Sequence, residues 1–101
     1  MSTHSVDAYV IDVLMADLAG HDRRPSAFLV YLYLATRGAG GRRRPVALSY
    51  QDLALGTGLS KSAVQGAVGW LRRRRLVQVS QATPTSTPQY EVLRPWARER
   101  R

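Results

Sequence analysis

Apolar residues return along this chain at two intervals, and the change of interval separates a helical part from a part with strands. Val6, Tyr9, Val10, Val13, Leu14 and Leu18 follow one another at three- and four-residue steps, with Asp7, Asp12 and Asp17 between them. That is the spacing of one face of a helix. Ser5 is placed to cap its start and Gly20 to stop it. A second helix is predicted from Pro25, a residue suited to a first turn, through Phe28, Leu29, Tyr31, Leu32 and Leu34 to a stop near Gly38. It is apolar around most of its circumference, as a central core helix must be. Gly38 to Gly41, followed by Arg42, Arg43, Arg44 and Pro45, reads as a flexible basic loop, and Val46 to Leu48 suffices for a very short strand.

Ser49 then caps a short helix with Asp52, Leu53, Ala54 and Leu55, ended by Gly56 or Gly58. Ser60 caps the next, whose Ala63, Val64, Ala67, Val68 and Leu71 share one face and which frays near Arg75. From there the interval shortens to two. Leu76 to Gln81 and Gln89 to Leu93 alternate as strands do, and the polar tract Ala82 to Pro88 between them, with two prolines, is a loop. The predicted class is α+β, mainly α, in one domain spanning 1–101: an acidic helix in 1–22, a core in 45–96 and a basic tail in 97–101.

Charge changes this picture more than composition does. Through residue 22 there are four acids and no Lys or Arg, whereas Arg23 to Arg101 holds fifteen bases and three acids. A contiguous basic segment of this kind suits a polyanionic partner. Fourteen of the fifteen bases are Arg, which favours bidentate bonds to phosphate or guanine, although a GC-rich genome produces the same bias. There is no cysteine, and His4 and His21 lie far apart, so no metal site or cofactor is expected. No Gly-rich phosphate loop and no His-Glu metal spacing is present, which argues against an enzyme. Asp7, Asp12 and Asp17, five apart on an α-helix, fan out instead of pairing. The start shows no leader pattern, and no apolar stretch approaches the roughly 20 residues of a membrane span, so a cytoplasmic location is expected.

The stretch from Leu48 to Leu71 carries the chemistry. Ala54 is small where two helices would cross, Gly58 permits a sharp turn, Leu59 fills the corner and Ser60 satisfies free amides at the next helix start. With Val64, Val68 and Leu71 turned inward, Lys61, Ser62, Gln65, Gly66 and Gly69 are left outward, short or polar enough to enter a major groove. These residues resemble the helix-turn-helix of winged-helix bacterial regulators and replication initiators, over about Pro45 to Trp96. The resemblance implies a three-helix core with an extra N-terminal helix and a small antiparallel sheet whose last loop is the wing. It also implies binding of double-stranded DNA, as a transcriptional regulator or as a replication-initiator or plasmid-maintenance protein. Lys61, Ser62 and Gln65 would read bases, with Ser60 and Gly66 beside them. Tyr50, Gln51, Arg42, Arg43, Arg44, Arg73 and Arg74 would serve phosphates.

Two features depart from that pattern. The loop from Ala82 to Pro88 has no Lys or Arg, so as a wing it offers only hydroxyls and amides. Arg72 to Arg75 point about 100° apart in succession, so no more than one or two of them can face one backbone. Phe28, Tyr31 and Tyr90 are expected in the core, Trp70 at its edge, and Trp96 folded back over the domain or against a second copy. The acidic first helix is expected either to cover its own domain or to pair two copies into a homodimer. A plain helical hairpin, or a winged-helix module that docks on a protein through Trp70 and Trp96, are the competing readings; no small-molecule ligand is suggested.

Overall fold

In a computed structural model that describes residues 3–37 and 45–97, the described residues form four helices and three strands. They are α1 (8–21), α2 (Pro25–Arg37), β1 (Val46–Ala47), α3 (Tyr50–Thr57), α4 (Lys61–Arg73), β2 (Val77–Ser80) and β3 (Gln89–Val92). The protein is mainly helical, with one small antiparallel sheet ordered β1-β3-β2. Tyr90 of β3 pairs with Val46 on one side and Val79 on the other, which centres the sheet on a buried aromatic. No helix among the described residues is long and apolar enough to cross a membrane.

The core forms where α2, α4 and the sheet meet. Ala27, Val30, Tyr31 and Leu34 of α2 face Val64, Ala67, Val68 and Leu71 of α4, with Leu53, Leu76, Val77 and Tyr90 closing the sides. Val64 and Leu71 are wholly buried, each contributing about 1.5–3 kcal/mol relative to exposure. Gly56 shows how closely α3 approaches α2, since a Cβ there would run into the ring of Tyr33.

Two buried tyrosines differ in a way that can be measured. The Tyr31 hydroxyl donates to the Leu93 carbonyl at 2.8 Å, whereas the buried Tyr90 hydroxyl has no partner among the described residues. Burial pushes both phenols up, that of Tyr90 to about 12. Tyr31→Phe is therefore expected to lose about 1 kcal/mol, while Tyr90→Phe is neutral or stabilising because it removes an unsatisfied group. Urea denaturation of the two variants checks this, and equal losses would contradict it.

The first helix departs from the sequence expectation in its winding. Ser5 does not cap it; the helix begins at residue 8. Over Val10–Leu14 and Ala16–His21 its amides reach back five residues instead of four, as in the bonds from Met15 to Val10 and from Asp22 to Asp17. A wider turn returns every fourth residue to one line, so the buried seam narrows to Val10, Leu14 and Leu18, while Tyr9 and Val13 on one shoulder and Ile11 and Met15 on the other stay exposed. Nor does Gly20 stop it. The chain turns at Arg23, whose φ of 57° is left-handed, and the Arg24 amide bonds back to the Leu18 carbonyl at 2.8 Å.

This seam is covered by the protein's own core, which is the first of the two roles expected for α1. Its charges do the same. Asp7 accepts from Arg94 at 3.0 Å and from the Trp96 indole at 3.1 Å, and Trp96 stacks on Tyr9 with centroids 4.5 Å apart. Trp96 thus folds back over its own domain. The acidic first segment and the basic remainder meet inside one chain.

Candidate nucleic-acid interface

Local chemistry joins α3 and α4 through a short turn and caps that need only neighbours. Ser49 and Asp52 form a reciprocal box: the Ser49 hydroxyl accepts from the Asp52 amide and the Asp52 carboxylate from the Ser49 amide, both at 3.0 Å. Gly58, with φ of 80°, takes the left-handed position that ends α3, where a side chain would be strained. Of the two glycines expected to end the helix, Gly58 is the one. Ser60 then accepts the Ala63 amide at 3.1 Å and starts α4.

On α4 the inward residues are Val64, Ala67, Val68 and Leu71, and Lys61, Ser62, Gln65, Gly66, Gly69, Arg72 and Arg73 are all exposed. No carboxylate lies on that outward side. Gly66 and Gly69 matter most, because a Cβ on either would meet nothing within 4 Å. Glycine inside a helix costs about 1 kcal/mol relative to alanine. At Gly56 the fold supplies a reason for the missing side chain; at Gly66 and Gly69 it supplies none.

The remaining expected contacts are spread unevenly. Ser60 and Gln51 are exposed beside α4 and at the start of α3, and Tyr50 is half-buried against the core. Arg42, Arg43 and Arg44 lie outside the described residues. The loop after β2 is braced on itself: the Thr83 amide donates to the Ser86 hydroxyl at 2.9 Å, and the Gln81 amide group donates to the Ser86 carbonyl at 2.6 Å. Its exposed tip is uncharged, as expected.

Arg74 requires a correction. It was expected to serve phosphates, yet its guanidinium is held by Asp22 and, at 2.8 Å, by Asp17. Asp22 also accepts from the Trp70 indole at 2.9 Å and from His21 at 3.1 Å. Burial alone would raise the Asp22 pKa, but the hydrogen bonds from Trp70 and His21 and the Arg74 charge outweigh it and hold the carboxyl below its ordinary value. The position follows from helix geometry, since Arg74 sits on the flank of α4 that meets α1. The five-residue spacing of Asp17 and Asp22, which on an α-helix would fan them apart, converges in the wider winding.

Asp17, His21 and Asp22 bring their ligand atoms within 4.8 Å of one another. Arg74 bonds to both carboxylates and the Trp70 indole to that of Asp22, so the group is engaged as a salt-bridged lock. An open concavity of 280 Å³ is lined, among the described residues, by Leu29, Leu32, Tyr33, Thr36, Gly56 and Thr57, none of them charged.

Arg23 and Arg24 are absent from the expected contacts, and Arg72 enters them only as one of four adjacent arginines of which one or two can face a backbone. Arg72 lies three turns from Lys61, on the same flank, and that spacing was readable. Arg24 was not readable, because it reaches this surface only through the fold: its guanidinium lies 4.6 Å from the centroid of the Trp70 ring, beside which Arg73 sits at 5.6 Å. No family model matches this chain, and no curated protein or solved structure shows significant similarity to it.

Proposed function

We propose that this protein is a winged helix-turn-helix domain that binds double-stranded DNA sequence-selectively, as a regulator would, by seating the outward side of α4 in the major groove. The observation that carries the reading is the exposed, acid-free face of Lys61, Ser62, Gln65, Gly66 and Gly69, whose two glycines have no internal packing reason. The order helix, strand, helix, helix, strand, strand and the sheet order β1-β3-β2 agree with that architecture. Gln65 is suited to a bidentate pair with adenine and Lys61 to guanine or a phosphate. The uncharged loop after β2 contributes at most hydroxyls to the backbone, so the helix carries the affinity.

Pairing of two copies through α1 is not part of this reading. The seam that suggested it is covered internally, and the apolar residues still exposed divide between opposite shoulders of the helix.

Selection of bound sites from a random duplex library tests the proposal. A defined motif is expected, and Gln65→Ala is expected to relax one or two of its positions at about 1–3 kcal/mol each. Equal losses on selected and unselected duplexes would remove Gln65 as a base reader, and failure to enrich any motif would remove sequence selectivity.

A further inference from the structure

The C-terminal end of α4 carries a second charged surface that the groove-reading face does not use. Arg23 and Arg24 from the turn after α1 and Arg72, Arg73 and Arg75 from α4 and its end are all exposed. None forms an ion pair with a described carboxylate; Asp17 and Asp22 are taken by Arg74. Arg24 and Arg73 come together on one ring, Trp70, and that ring is itself fixed by its hydrogen bond to the buried Asp22 carboxylate. Guanidiniums resting over an aromatic ring lose less freedom on meeting a phosphate than free ones do. Two of the neighbours, Arg23 and Arg75, occupy left-handed helix-ending positions, with φ of 57° and 59°, where glycine is least strained. Arginine sits where the backbone favours glycine.

The length of α4 relates this cluster to the other end of the helix. The steps from Lys61 to Arg73, at about 1.5 Å each, span roughly 18 Å, against a major groove about 12 Å wide. A helix with a cation at its start, bare backbone in its middle and arginines at its end can cross the groove with one end over each bordering strand. We propose, building on the DNA-binding reading, that Arg24 and Arg73 on Trp70 form a phosphodiester clamp that grips the strand opposite the one met by Lys61, making α4 a bridge between the two backbones. Arg23, Arg72 and Arg75 add long-range attraction, and Arg74 takes no part.

Fluorescence anisotropy of the full chain on a labelled mixed-sequence duplex, over a range of salt, tests the clamp. Arg24→Ala and Arg73→Ala are each expected to lower the slope of log affinity against log salt by about 0.9, one phosphate each, on every sequence alike. Arg24→Lys is expected to keep the slope. Neutral methylphosphonates placed strand by strand are expected to reveal two sensitive runs, one per strand, and the double variant Arg24→Ala/Arg73→Ala to abolish sensitivity to one of them. Unchanged melting temperature in these exposed variants keeps folding out of the result. Wild-type protein that binds no duplex overturns both this proposal and the DNA reading. Normal wild-type binding with an unaltered slope in Arg24→Ala and Arg73→Ala, or both sensitive runs on one strand, overturns the clamp alone. Polyglutamate binding lost in Arg24→Ala while duplex binding persists would assign the cluster to an acidic protein segment instead.

Discussion

Gly66→Ala/Gly69→Ala is expected to fold more stably than the wild type and to bind DNA less well. Both positions are exposed on α4, and an added methyl at either meets nothing within the protein. Each substitution removes a glycine from a helix interior and is worth about 1 kcal/mol, so the pair raises the melting temperature by roughly 10 °C. Binding moves the other way. In the proposed complex the two methyl groups stand where base edges approach the helix, and duplex affinity is expected to fall about tenfold or more, comparable to a mismatched base pair at 1–3 kcal/mol. Thermal denaturation and anisotropy on the same samples check both signs. Gains in both properties would mean that nothing approaches this face closely, and the groove-reading role of α4 would fall.

The second large effect concerns the lock between α1 and α4. Asp22 is nearly buried, and its carboxylate holds the Trp70 indole, the Arg74 guanidinium and His21 at once. Asp22→Ala leaves the indole N–H without its acceptor and strips Arg74 of one of its two acids. Because Arg74 is about one-third exposed, the loss is smaller than for a fully buried pair, about 2 kcal/mol, or roughly 10 °C in melting temperature. Asp22→Asn keeps an acceptor for Trp70 and is expected to fall between. A melting curve for Asp22→Ala that overlays the wild type would mean the lock adds nothing.

The same carboxylate sets a pH dependence. Its folded pKa lies below the ordinary 3.8, so the stabilisation is complete above that value and disappears as pH falls through the lower folded one. Acid unfolding of the wild type is expected to steepen in that range, and Asp22→Ala is expected to lose that part of the slope. The lock also connects the two surfaces on α4: without Asp22 the Trp70 ring loses its tether, and the arginines resting on it lose their fixed platform.

Much of this architecture rests on interactions no longer than a turn. The Ser49 and Asp52 box, the Ser60 cap and the left-handed Gly58 each involve residues within a few positions, so their spacing alone announces where α3 and α4 begin and where the bend between them falls. The inward face of α4 and the alternation in β2 and β3 are legible for the same reason, because a helix or strand buries residues at its own period. The outward face of Lys61, Ser62 and Gln65 follows by subtraction.

What the order of residues leaves open depends on contacts between distant segments. Asp17 and Asp22 reach Arg74 across more than fifty positions of chain, and Asp7 reaches Arg94 across still more. Four adjacent arginines look equivalent until α1 docks on one flank of α4 and neutralises the third of them, leaving its neighbours to solvent. The wide winding of α1 belongs to the same category, since apolar residues at three- and four-residue steps are compatible with amides reaching four residues back or five. Local periodicity marks out the elements and the face of each that turns outward; which charges remain unneutralised on that face is settled only when packing pairs acids and bases that local rules never bring together.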